Sequence, residues 1–425
     1  MPGTMLFTMI VAFALSISVA VAIGIASLIG AWQADLNFLA VVKEMFGALN
    51  KFPLAAIPFF ILAGNLMESG GISARLVEFA KSIVGGIQGG LGATCVLTCM
   101  IFAAVSGSSV ATTFAIGAIL IPALIKHGYP TNYAAALQAT SAELGVIIPP
   151  SIPMILYGVS AEVSIGELFI AGVGPGLLIG VALMIFVIVY ARWKGYGKGD
   201  HEGRLPFFVA TRKAALALLM PVIILGGIYG GVFTPTEASV VAVFYALIVG
   251  VVVYRETKIS DLPRVLRKSV VSSAVIMFII ANAGLFSYLI TRAGVPGLIG
   301  AALVEWLQSP LVFLLGVNLA LFLIGMFIET SASIIVLAPI LAPVAMHFGI
   351  DPVHFGIIMV VNLALGMITP PFGVNLFAAC TVARIPLEQV VTRLIPFVLV
   401  IFGCLMIITY FPMISLGLRD LVYAR

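Results

Sequence analysis

A chain of 425 residues that is 62% hydrophobic and only 9% charged stands well apart from soluble domains, in which about 25% of residues carry charge. Its uncharged stretches recur from end to end, each near the roughly 20 residues a helix needs to cross a bilayer. The composition predicts an all-α polytopic membrane protein with no large soluble domain, and a net charge of +4 with its basic residues gathered in loops gives no ground for a nucleic-acid partner.

Residues 1–33 lack the basic start of a secretory signal peptide and are too long for its apolar core, so they are expected to be a first retained span. Residues 52–67 follow as the next. The segment "LGATCVLTCMIFAAVSGSSVATTFAIGAILIPALIKH" (91–127) has room for two half-length helices with small polar residues between them, which predicts a re-entrant hairpin with its tip at 106–109. Cys95 and Cys99, four residues apart, share a helix face, but no Cys or His completes a metal set. They are expected to pack, and no disulfide is expected with Cys380 or Cys404. The helix over 131–158 is interrupted by "GVIIPPSIP" at 145–153.

Further spans are expected over 168–191, 214–236, 238–254 and 269–291. Of the 21 Lys and Arg, six lie in 191–213 and five in 255–268. The tendency of basic loops to stay inside places both in the cytoplasm, with the turn "GGVFTPTEA" outside between them. A second hairpin, 311–347, has its tip at 329–333. A second interruption, "GMITPPFGV", lies at 366–374, and a last span covers 394–418.

The two interruptions are 221 positions apart, and the same offset carries Pro122 onto Pro343, Gly128 onto Gly349, Gly145 onto Gly366 and Pro149-Pro150 onto Pro370-Pro371. Two repeats result, 52–160 with hairpin 91–127 and 270–382 with hairpin 311–347. They are flanked by 1–51, joined by 161–269 and followed by 383–425. Counting spans from the cytoplasmic loops turns one repeat over relative to the other, provided each hairpin enters and leaves on one side. This parity places the N-terminus in the cytoplasm and the C-terminus in the periplasm. Inverted repeats with helices broken at matching positions point to a transporter site near the midplane, because irregular backbone at that depth survives only inside protein or against a water-filled cavity.

Polar residues gather at these points: Ser106, Ser108, Ser109, Thr112 and Thr113 in the first hairpin, and Glu329, Thr330, Ser331 and Ser333 in the second. Hydroxyls and unwound carbonyls suit a hard monovalent cation, and the helix ends at a tip offer partial charges of either sign. Glu329 stands alone in an uncharged stretch and must be paired, protonated or strongly hydrogen-bonded. Capping its own helix is the plainer role. Ser151, Thr369 and Asn375 are ligand candidates from the breaks. Asn65 and Asn362 are expected to join helices, and His127, His347 and His354 to be interfacial.

"KFPLAAIPFFILAGNLMESGGI", "SGSSVATTFAIGAILIPALIKHGYP", "GVIIPPSIPMILYGVSAEVSIGELFIAGVGPG" and "GIDPVHFGIIMVVNLALGMITPPFGVNLF" together resemble the large membrane subunit of TRAP transporters, the DctM-like family, over nearly the whole chain. The resemblance implies uptake of a small organic anion, such as a C4-dicarboxylate or sialic acid, across an inner membrane, driven by at least two Na+ ions. It also implies an elevator motion against a scaffold containing 1–51, 161–269 and the last helix, a small four-helix membrane partner and a soluble periplasmic binding protein. By similarity one Na+ site joins Ser106, Ser109, Gly145 and Pro149, and the other joins Glu329, Thr330, Gly366 and Thr369. Ser106, Ser108, Thr113, Ser151 and Asn375 are the substrate candidates. A stand-alone Na+/dicarboxylate symporter shares the repeats and hairpins. An intramembrane serine protease would need a base beside "SGSS", and a channel would need no Na+.

Overall fold

The computed structural model describes residues 1–15, 17–198, 204–298, 302, 309–371 and 373–423, so part of the first basic loop, 199–203, lies outside the described residues. The described chain is helical throughout, and eight of its helices are long and apolar enough to cross a membrane.

The start of the chain differs from the single span expected. Residues 1–33 form α1 (Pro2–Ala14) and α2 (Val19–Gln33). These run antiparallel, with Thr4 Oγ1 donating to Gln33 Oε1 at 2.6 Å and Met5 packed on Gly30, where a Cβ would have no room. Hydropathy is blind to such a turn, because both arms are equally apolar. Met1 therefore lies on the same side as the 34–37 turn, and the cytoplasmic N-terminus derived from one span no longer follows.

The repeats then unfold as expected in order, with different lengths in places. After α3 (Phe38–Leu49), repeat one holds α4 (Ala56–Ser69), α5 (Ile72–Val84), the hairpin α6 (Gly90–Ser106) and α7 (Ser109–Lys126), and the broken helix α8 (Thr131–Ile147) and α9 (Ile152–Ser160). Next come α10 (Ile165–Lys194), α11 (Phe207–Tyr229) and α12 (Pro235–Leu247). Repeat two holds α13 (Leu262–Arg292), the hairpin α14 (Pro310–Gly325) and α15 (Thr330–His347), and the broken helix α16 (Pro352–Met367) and α17 (Val374–Ala383). The chain closes with α18 (Leu387–Tyr410) and α19 (Met413–Val422). The hairpin arms, at 16 to 18 residues, are longer than half-span helices. At about 1.5 Å per residue they reach most of the way across a bilayer core.

Packing divides the helices into two groups. In one, α13 lies along α2, α3 and α4, and α12 lies along α4. In the other, the hairpins and broken helices are joined by α10, which packs on α6, α16 and α18, and by α18, which packs on α8 and α16. The placement of α10 and α18 departs from the expected division, which put both with the scaffold. The glycines of α10 explain it. Gly172, Gly176 and Gly180 let Met154, Ile148 and Met100 of broken helix one and hairpin one sit directly on its backbone.

The last helix is tied down by charge. Arg419, only 5% exposed, bridges Asp351 at 2.8 Å, Asp420 at 2.6 Å and Glu167 at 3.8 Å. Burial alone would push the Asp351 carboxyl up, but bonds from Arg419, His354 and Val353 hold it below the usual carboxylate range. A depressed carboxylate stabilises the fold above its unfolded value and loses that contribution as pH falls through its folded one, so the C-terminal helix should loosen first in acid.

Single cysteines placed at Thr4 and Asp35 are expected to react with an impermeant thiol reagent from the same face of the membrane, and one at Lys194 from the opposite face. Reaction of Thr4→Cys and Asp35→Cys from opposite faces would restore a single first span.

Candidate functional site

A helical carbonyl accepts from the N–H four residues on, and proline has none. Pro149 and Pro150 therefore strip the helical partners from the Gly145 and Val146 carbonyls, and Pro370 and Pro371 do the same to Gly366 and Met367. Val146 O is recovered by Ser151 Oγ at 2.5 Å, and Ser151 also caps α9 by accepting from Met154 N at 3.3 Å. Gly366 O is recovered by Thr369 N at 2.9 Å. Gly145 O gains no donor among the described residues.

Tip one rests on break one. Gly107, in the left-handed region with φ +62°, ends α6, and its carbonyl accepts from Ile152 N at 3.3 Å. A Cβ at Gly107 would meet Pro150 O at 2.8 Å, and one at Gly145 would meet Thr112 Oγ1 at 2.8 Å and Ser108 O at 2.9 Å. Three oxygens crowd this point: Ser106 Oγ lies 3.1 Å from Thr112 Oγ1 and 3.4 Å from Ser108 O, and Thr112 Oγ1 donates to Ser108 O at 2.8 Å. A hydroxyl that spends its proton on a carbonyl keeps its lone pairs, so the group is acceptor-rich and buried. Ser109 is buried beside it, whereas Thr113 Oγ1 donates back to Ser109 O at 2.9 Å within its own helix.

Tip two rests on break two through a glycine pair and one side-chain contact. A Cβ at Gly366 would lie 2.5 Å from Gly325 Cα, so the end of α14 and the end of α16 touch backbone to backbone. Thr330 Oγ1, fully buried, lies 2.8 Å from Met367 Sδ, and Thr369 Oγ1 donates to Leu365 O at 2.9 Å. Glu329 takes the plainer role: it caps α15, accepting from Ser331 N at 3.0 Å, Ala332 N at 3.2 Å and Ser331 Oγ at 2.7 Å. Ser108 caps α7 from the corresponding position, 221 residues earlier. The tips thus share one design, with a hydroxyl cap in the first and a charged cap in the second.

The repeats also cross over. After its break, α9 packs on α15 of the other repeat, and α17 packs on α7 and α8. Asn375, a substrate candidate by sequence, is spent in this crossing: its Nδ2 donates to Glu143 Oε1, and both side chains are buried. Glu143 was missed in the sequence, although the signal was the one that singled out Glu329, a lone carboxylate in an uncharged run. Gly325 is the other contributor that no motif announced, while Thr112 stood in the polar run of the first hairpin but in neither ligand set. Between the two helix groups lies a cavity of about 430 Å³ bounded by Glu44, Lys51, Ser160 and Ser287, where Lys51 Nζ reaches Val159 O at 3.4 Å.

An inverted repeat whose hairpin tips meet its broken helices in the interior is the architecture of a membrane transporter. The family described as Tripartite ATP-independent periplasmic transporter, DctM component, matches residues 5–414. The chain belongs to this family of multi-pass bacterial permeases, which are not enzymes, and the protease reading of "SGSS" falls away. It is 45% identical to the C4-dicarboxylate TRAP transporter large permease protein DctM of Pseudomonas aeruginosa, over 89% of this chain and 88% of that one. It is 42% identical to the isethionate TRAP transporter permease protein DctMQ of Oleidesulfovibrio alaskensis, over 92% of this chain and 62% of that one. The crystal structure of the YdaH transporter of Alcanivorax borkumensis shares the fold, with a TM-score of 0.65 at 17% identity over 89% of this chain and 88% of that one.

Gly366→Ala is expected to destabilise the protein by about 1–3 kcal/mol, as overpacking against fixed backbone does, and to cut transport with it. Gly226→Ala, a helical glycine with nothing within 4 Å, should be neutral or stabilising by up to about 1 kcal/mol. Melting temperatures in detergent would separate the two, and an undisturbed Gly366→Ala would remove the close contact from consideration.

Proposed function

We propose that this chain is the large membrane subunit of a Na+-coupled, binding-protein-dependent importer of a small organic anion. The observation that carries it is the pairing of each acceptor-rich break with a hairpin tip. Na+ asks for several neutral oxygens, and Ser106, Thr112, Ser108 O and Gly145 O supply them at tip one. The Gly366, Thr369 and Thr330 group serves as the second cation site, with Glu329 next to Thr330 in the chain. The anion belongs at tip one. The first amides of α15 are already taken by the Glu329 carboxylate, whereas α7 is capped by a neutral hydroxyl and keeps its positive end for a ligand.

The relatives' names cover a dicarboxylate and isethionate, a sulfonate, which supports a small anion and leaves its identity to a separate periplasmic binding protein. A small four-helix membrane subunit completes the complex in the inner membrane, with the C-terminus outside. In the elevator motion we infer, the hairpins and broken helices move together with α10 and α18, and α2–α4 with α11–α13 stay in place. A stand-alone symporter would transport without any binding protein, and that comparison decides between the two.

In vesicles reconstituted with the partner subunits, replacing Na+ by K+ should stop uptake. Ser106→Ala and Thr369→Ala should each raise the half-saturating Na+ concentration about ten- to hundred-fold, the worth of a bond to a charged group. The substrate titration should shift with it, since binding free energies are reciprocal. Wild-type titrations in both variants would leave the cation sites without support.

A further inference from the structure

Gln138 is fully buried on α8, the helix that runs into the first break at Gly145. Its side chain sits between the two arms of hairpin one. Cys95 Sγ, from α6, donates to Gln138 Oε1 at 3.1 Å. Gln138 Nε2 donates to Thr112 O of α7 at 3.4 Å and faces Cys99 Sγ at 3.6 Å. The α7 backbone presses on the same side chain, since a Cβ at Gly117 would lie 3.0 Å from Gln138 Cγ. One planar amide therefore touches both arms of the hairpin from the helix that carries the break. Cys95 and Cys99 are buried free thiols, and this amide is what they face.

Thr112 links the arrangement to tip one. Its carbonyl is turned to Gln138, while its Oγ1 lies 3.1 Å from Ser106 Oγ and would lie 2.8 Å from a Cβ at Gly145. So α8 meets Thr112 at two points, Gln138 and Gly145, about 10 Å apart along a helix axis. That separation keeps Gln138 itself out of the oxygen cluster. Two contacts with one helix fix where Thr112 Oγ1 stands relative to the Gly145 carbonyl. Repeat two has no such device, because the 221 offset carries Gln138 onto Met359, Cys95 onto Gly316 and Cys99 onto Ala320. The frame of the repeat thus closes without these bonds, and packing alone does not call for them.

We propose that Gln138 is a positioning residue that acts through Thr112 to set the size of the oxygen cluster at tip one, and with it the monovalent cation the cluster prefers. The proposal rests on the cation reading of tip one given above. Groups behind the ligands orient them and tune their affinity, and an oxygen cluster discriminates between ions by its size, number of oxygens and stiffness. Li+ and Na+ carry the same charge and differ in radius, so their ratio reports geometry, which a loss of yield or stability does not move.

Gln138→Met is the informative variant, because methionine is what repeat two carries there and fills the space without either amide bond. In vesicles reconstituted with the partner subunits it should raise the half-saturating Na+ concentration about ten-fold, the usual effect of losing a group behind a ligand. The ratio of half-saturating Li+ to Na+ should move by about three-fold or more, with the melting temperature close to wild type. Met359→Leu, at the matching position of repeat two, should leave the ratio unchanged. Thr112→Ser keeps the hydroxyl but frees its rotamer, so it should move the ratio as well. The double variant should fall short of the product of the two, since both act on one oxygen. Should Gln138→Met not fold, Cys95→Ala removes the bond to Oε1 and should shift the ratio in the same direction by less. An unmoved ratio in the folded variant overturns the proposal, whatever happens to stability. So does an equal shift in Met359→Leu, or a double variant whose effects simply multiply. Wild-type uptake that ignores Na+ would overturn the cation reading itself, whereas Na+-dependent uptake with an unmoved ratio overturns this inference alone.

Discussion

Everything in the interior of this protein follows from a deficit of donors. Two consecutive prolines remove two N–H groups from a helix, and a helix broken at bilayer depth cannot call on water to replace them. The four affected carbonyls, those of Gly145, Val146, Gly366 and Met367, must be dealt with inside the protein. A serine caps one and a short turn caps another. The Gly145 carbonyl is left without a donor among the described residues, so the same defect that would unfold a lipid-facing helix leaves a bare acceptor inside the protein where the two repeats close over it. That requirement sets the packing: α9 crosses to α15 and α17 crosses to α7 and α8, and each repeat buries the other's fault.

The two halves are alike in backbone and unlike in charge. Ser108 and Glu329 occupy corresponding caps, yet one is a neutral hydroxyl and the other a carboxylate that satisfies three local donors at once. Small residues do the rest of the work at tip two, where Gly325 and Gly366 meet with no side chain between them. At tip one, the counterpart of Gly325 is Ala104, and the contact is made by Thr112 Oγ1 and the Ser108 carbonyl against Gly145 and by the Gly107 carbonyl on Ile152 N. An inverted repeat therefore does not imply two equal sites. It supplies two equivalent frames, and the side chains decide which is better suited to a cation beside a neutral cap and which to one beside a fixed charge.

The breaks, hairpins and repeat offset were legible in the sequence because each depends on local chemistry: proline lacks a donor, glycine permits close approach, and a polar run in an apolar stretch has to turn inward. The turn between α1 and α2 was not, since two apolar arms of 13 and 15 residues have the hydropathy of one long span. The side on which α10 and α18 pack was hidden for a related reason. Their composition suits lipid or protein equally, and only the glycines facing Met100, Ile148 and Met154 reveal the neighbour. Glu143 was visible as a lone carboxylate, but its partner comes from the far end of the chain, and no spacing rule connects 143 with 375.

The long-range bond between those two residues bears on how the halves can act as one. In the proposed motion the hairpins and breaks travel as a body, which requires that each tip keep its geometry against its break while the frame slides past. Apolar packing alone is non-directional, and at the breaks four carbonyls interrupt it. A directional bond across the crossing point restores the missing constraint where the helices are weakest. It also explains why a polar pair is kept in an otherwise apolar core. Leucines of similar volume would fill the space, but without a directional bond they would not fix the register of α8 against α17 beside the first break.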